Sequence, residues 1–146
     1  MNFYLNQYQQ NHVQTASKEQ ILIMLYDGAV RFIRQAREGI ESEDLKAKLE
    51  GIGRAVNILT ELSNTLDFEV GGEIAENLDA LYSYMSRELI MANARNDLAP
   101  LQIVEDMLLD LKDGWLQAIE KNRAEQSSNA QVGHNQIKAG ALQASV

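Results

Sequence analysis

The chain has 146 residues, 45% of them hydrophobic, with one proline, no cysteine and a formal net charge of −8. That length suits one domain with a genuine core, and the missing cysteine excludes disulfides, thiolate metal sites and a cysteine nucleophile. The acidic balance argues against nucleic acid, whose phosphates need a basic footprint. No apolar run approaches the roughly 18 to 20 residues that cross a bilayer, so no membrane insertion is expected. The opening MNFYLNQYQQNH lacks the basic start and apolar run of a secretory signal. A soluble, cytoplasmic protein is expected.

Residues 1–16 are rich in Asn and Gln but carry Phe3, Tyr4, Leu5, Tyr8 and Val13, which predicts a flexible N-terminal segment able to cover a groove. The first helix opens at Ser17, whose hydroxyl can cap a backbone amide while Gln20 reciprocates. It runs to about Gly39, a residue suited to a left-handed helix ending. Its apolar face is Leu22, Leu25, Tyr26, Ala29, Phe32, Ile33, Ala36 and Ile40, at helical spacings of three and four. The second helix starts near Ser42 or Asp44 and presents Leu45, Leu49, Ile52, Val56, Leu59 and Leu66, with Ser63 in the missing slot. Gly51 and Gly53 weaken it, and close packing against a neighbour is the expected reason.

The third helix begins after Gly71-Gly72, presents Ile74, Leu78, Leu81, Met85, Leu89 and Ala92, and ends near Asn93 to Asn96. The fourth uses Asp97 as its cap, tolerates Pro100 in its first turn, and shows Leu101, Val104, Leu108, Leu111, Trp115 and Ala118. At about 21 to 25 residues each, the helices would be roughly 30 to 37 Å long. Matched lengths and short connections predict an all-α, antiparallel up-down four-helix bundle over 17–121. Residues 122–146 turn to Ser, Asn, Gln, Gly and Ala, and a mobile polar tail is expected there.

Catalytic and metal chemistry find few ligands. The two histidines, His12 and His134, fall in the flanks, and neither has a glutamate three residues before it, as di-iron bundles require. Zinc lacks ligands as well. Gly51 and Gly53 belong to LEGIG rather than to a phosphate-cradling loop after a strand. Carboxylates scatter along polar faces. No enzyme, cofactor or metal is expected.

Each helix carries a second, shorter apolar row, displaced by about a quarter turn or more from its stripe at about 100° per residue. These rows are Ile23 and Val30, Ile58 and Leu62, Tyr84 and Met91, and Leu109 and Leu116. Neighbouring helices or the termini would cover some of them, and isolated exposed apolar residues are ordinary. The alternative is that several rows line grooves for an apolar partner or a second copy. Met and Tyr suit such a surface, because Met repacks easily and Tyr joins a ring to a polar tip.

Two stretches are distinctive: TASKEQILIMLYDGA (Thr15 to Ala29) and GGEIAENLDALYSYMSRELIMANARND (Gly71 to Asp97). With the Gly-Gly pair and Trp115, they resemble the flagellin-specific export chaperone family, FliS, over roughly Val13 to Ile119. Lys18 departs from the proline common in that family after the capping serine; Ser17 and Gln20 keep the cap. The resemblance implies a cytoplasmic chaperone that binds the disordered C-terminal segment of flagellin. It would prevent premature polymerisation and deliver its client to the flagellar type III export gate. Ile58, Leu62, Tyr84, Met91, Leu109 and Leu116 are then expected to contact the client. The groove-covering and gate-docking role would fall on Leu5 and Tyr8. A monomer or weak homodimer is expected; the rival is a self-associating structural or adaptor bundle without a flagellin client.

Overall fold

The computed structural model describes the backbone of residues 17–144 and the side chains of residues 17–129. Four helices follow one another: α1 (Lys18–Glu41), α2 (Leu45–Asn64), α3 (Phe68–Arg95) and α4 (Leu98–Ala144). Among the described residues there is no strand. The chain divides within α4 into two compact units, one ending at Lys112 and one beginning at Asp113.

Local chemistry sets the helix ends. The Gln20 amide donates to Ser17 Oγ and the Ser17 amide donates to Gln20 Oε1, both at 3.1 Å, completing the expected capping box. Asp44 caps α2 by accepting from the Ala47 amide, and Asp97 accepts from the Ala99 amide at the head of α4. Asn96 ends α3 with φ 50, a left-handed conformation that Asn tolerates better than most residues. The connections span only two or three residues, which favours antiparallel neighbours.

Side-chain and backbone contacts confirm that order. Lys48, near the start of α2, buries its stem and donates through Nζ to Asn96 Oδ1 and the Asn93 carbonyl at the end of α3. Pairing of Asp27 with Lys112, and of Arg34 and Arg37 with Glu105, runs α1 against α4 in opposite directions. The core is sealed by Tyr26, Ile33, Leu59, Met85, Leu89, Leu101 and Leu108. The Tyr26 and Tyr82 hydroxyls share a buried hydrogen bond, so two polar tips satisfy each other inside the apolar interior.

The left-handed ending of α1 falls at Glu43 (φ 57) rather than at Gly39, which stays helical. Gly39 serves close approach: a Cβ there would lie 2.9 Å from the Asp44 carbonyl oxygen and 2.9 Å from Lys48 Cα. Gly51 does the same one step further along, where a Cβ would meet the Phe32 carbonyl oxygen at 2.6 Å and the Ala36 nitrogen at 2.7 Å. Gly53 does not share this reason, because nothing lies within 4 Å of its Cβ position.

This contact turns α2 away from the orientation expected from its apolar residues. Leu45 and Leu49 are exposed, while Gly51, Ala55, Ile58 and Leu62 face inward. Ile74, expected in the α3 stripe, is exposed, and Tyr82 occupies the core instead. Helix α4 runs on to Ala144 through the region assigned by composition to a polar tail, and residues 121–129 are exposed throughout.

The two glycines of α2 make opposite predictions. Gly51→Ala should lower the melting temperature by forcing α1 and α2 apart. Gly53→Ala should raise stability by about 0.5–1 kcal/mol, the helix-propensity gain of alanine over glycine. Thermal denaturation of both variants checks the pair; equal effects would contradict the packing just described.

Candidate functional site

Two of the six residues expected to contact a client belong to the core. Ile58 and Leu62 are 2% and 1% exposed, because the close approach at Gly51 turns their row toward α1 and the bundle interior. Val30 of α1 is buried as well. The other four remain at the surface: Tyr84, Met91, Leu109 and Leu116 are between 36% and 44% exposed. Leu5 and Tyr8 lie outside the described residues, as does His12, and the side chain of His134 is likewise undescribed.

Tyr84 and Met91 are seven residues apart and share one face of α3, with Leu81 half-buried beside them. Each lies one residue, about 100° around the helix, from a buried neighbour, Met85 and Ala92 respectively, so the row runs along one flank of the buried face of α3. On α4, Leu109 falls four residues after Glu105 and three before Lys112, on the same face as both. That face meets α1, where Asp27 and Arg34 share a row with Ile23 and Val30. Leu109 thus falls on the face of α4 that carries the ion pairs to α1. Leu116 lies in the second unit, exposed on its own helical stretch, where Gln117 donates to Asp113.

The α1–α4 seam is electrostatically ordered. Glu105 is almost wholly buried and accepts from Arg34 Nε at 2.8 Å, Arg37 Nη2 at 3.3 Å and Gln102 Nε2 at 3.3 Å. Burial pushes its carboxyl up, but hydrogen bonds from Arg34 and Arg37 and their positive charge outweigh this and hold it below the usual carboxylate range. Between α1 and α2, the guanidinium groups of Arg31 and Arg54 sit 5.6 and 5.5 Å from the Phe32 ring centre. Further large apolar residues are exposed that the apolar rows of the sequence do not single out as a site: Leu45, Leu49, Ile90 and Ile103. A shallow open groove is lined by Leu45, Lys46, Leu49, Glu50 and Arg54.

Among the described residues no group of three or more His, Cys, Asp or Glu side chains is placed to hold a metal. Nor is any helix among them long and apolar enough to cross a membrane. What distinguishes the surface is the presence of partly exposed apolar rows on a well-packed helical core.

The family described as flagellar protein FliS matches residues 1–122. The chain belongs to the FliS family. It is 38% identical to the flagellar secretion chaperone FliS of Bacillus subtilis, over 86% of this chain and 92% of that one. It is 41% identical to the flagellar secretion chaperone FliS of Salmonella typhimurium, over 79% of this chain and 86% of that one. The fold is similar to the crystal structure of a bacterial flagellar chaperone, with a TM-score of 0.68 at 21% identity, covering 81% of this chain and 96% of that one. Membership in this family supplies a role, secretion chaperoning, that the unburied rows suit.

Glu105 carries a pH prediction. A carboxyl held low in the folded state stabilises the fold at pH values above the ordinary glutamate pKa of about 4.3, and that stability is lost as pH falls through its depressed value. Glu105→Gln should therefore cost about 1–3 kcal/mol at neutral pH, discounted because Arg34 is largely exposed. The gap between variant and parent melting temperatures should close below about pH 4.3. A gap independent of pH would contradict the ion-pair account.

Proposed function

We propose that this member of the FliS family is a cytoplasmic export chaperone for flagellin. It holds the disordered C-terminal segment of newly made flagellin, prevents premature polymerisation, and delivers the client to the flagellar type III export apparatus. The supporting observation is that Tyr84, Met91 and Leu109 stay exposed on flanks of helices whose other faces are sealed into the core.

The physics of the task suits such a surface. A segment that must later pack inside a filament is apolar, so leaving it free invites assembly at the wrong time. Seating it over these rows removes that apolar area from water at about 25 cal/mol per Å². Ordering a disordered segment costs about 2–5 kcal/mol or more of the contact energy, which keeps the complex releasable. Met91 adapts its shape to the client, and Tyr84 can add a hydrogen bond at the rim. Leu116 extends the Leu109 row in sequence and belongs to the same proposal. Leu5 and Tyr8 are assigned to covering the client surface and to docking at the export gate. The chaperone awaiting its client is proposed to be monomeric.

Calorimetric titration with the C-terminal segment of the host's flagellin tests this reading. The double variants Tyr84→Ser/Met91→Ser and Leu109→Ser/Leu116→Ser should each weaken binding at least about tenfold, given about 1.5–3 kcal/mol for each buried large side chain. Their melting temperatures should match the parent. Ile58→Ser or Leu62→Ser should instead destabilise the fold by about 2–5 kcal/mol, as core truncations do. Unchanged affinity in both double variants would remove these rows from the client site.

A further inference from the structure

The first turns of α3 hold large apolar side chains in water. Val70 is 86% and Ile74 69% exposed, and Phe68 beside them is about half exposed. Single exposed apolar residues are ordinary, but three within so short a stretch form a patch of the kind that marks an interaction surface. The backbone keeps them there. Asp67 Oδ1 accepts from the Glu69 and Val70 amides, and Gly72 adopts φ 50, ψ −124, a conformation that L side chains avoid. The opening turn of α3 is thereby set off from the rest of the helix.

The charge around this patch has one sign. From Ala55 to Ser86 the chain contains no Lys or Arg, while Glu61, Asp67, Glu69, Glu73 and Glu76 are all exposed. Other stretches interleave both signs and pair some of their acids: Glu50 with Arg54, Asp27 with Lys112, and Glu105 with two arginines. Among the described residues no ion pair engages the five acids around the α3 start.

We infer that this end of the bundle is a docking surface for a basic amphipathic segment of a partner protein, separate from the rows assigned to the client. Such a segment sets its apolar side on Val70 and Ile74 and its cations against Glu69, Glu73 and Glu76. Exposed ion pairs add little each, so the apolar contact supplies affinity, and the charge supplies orientation and association rate. The patch is distinct in place as well: Tyr84 and Met91 lie about 15 and 25 Å further along α3 at 1.5 Å per residue.

The test uses the full chain and two synthetic peptides, an amphipathic Lys/Leu helix and its Glu/Leu counterpart, with binding read by fluorescence anisotropy and amide chemical shifts. The Lys/Leu peptide should bind, shift the amides of Phe68 to Glu76, and weaken as salt is raised. Val70→Ser/Ile74→Ser should lower its affinity at least tenfold, and Glu69→Gln/Glu73→Gln/Glu76→Gln should slow its association several-fold and flatten the salt dependence, while the melting temperature stays unchanged in both. Neutralising Asp106, Asp110 and Asp113 on α4, an equal change in charge, should leave affinity intact. Equal binding by the Glu/Leu peptide, shifts spread over every acidic face, or indifference to the α3 substitutions would overturn the inference. So would displacement of the peptide by the flagellin segment, which would make this patch part of the client's path. A dimer that dissociates on Val70→Ser/Ile74→Ser would assign the patch to a second copy and overturn it too.

Discussion

The close approach of α1 and α2 governs the rest of this molecule. At Gly39 and Gly51 the helices meet with so little room that even a methyl group would strike backbone atoms of the partner. Two helices pressed together at such points cannot rotate about their axes without separating. The rotation of α2 follows from this, and with it the list of residues that reach the interior. Ile58 and Leu62 go in, and Leu45 and Leu49 go out. Only after that assignment is made is it clear which apolar rows are left for a partner.

The opposite seam is built differently. Where α1 meets α2 through bare backbone, α1 meets α4 through long charged side chains: Asp27 with Lys112, and Arg34 and Arg37 with Glu105. Charged bridges of this kind hold direction and register, because a buried carboxylate tolerates few positions for its donors. They leave apolar residues between them only partly covered, as Leu109 is. A chaperone needs both properties, a core that stays folded without its client and a surface that does not close on itself. The family to which the chain belongs consists of flagellar secretion chaperones in the relatives it matches, and this division between a tight seam and a bridged one suits that work.

Much of this was legible in the residues. The Ser17–Gln20 capping box, the Asp97 cap and the Asn96 ending each follow from local chemistry that tertiary contacts do not override. Four helices and their order followed from periodicity, and the family from two stretches of distinctive sequence. The rotation of α2 was not legible in the same way. Counting large apolar residues favours Leu45 and Leu49 as inward-facing, whereas the true interface is marked by small ones, Gly51 and Ala55. Small residues signal close approach only once the partner helix is known. Ile74 misleads for a related reason: it stands at the right angle for the core but near the start of the helix, where it is left largely exposed. Gly39 looked like a helix stop because glycine serves both turns and contacts, and sequence alone does not separate the two uses.

The central claim is that the client lies on a bundle that remains closed, over rows the core does not need. A crystal structure of the full chain bound to the C-terminal segment of flagellin addresses it most directly. The account predicts the segment lying over Tyr84, Met91 and Leu109, with Ile58 and Leu62 still sealed against α1. A client strand inserted between α1 and α2, or bound so that Tyr84, Met91 and Leu109 stay in water, would contradict it.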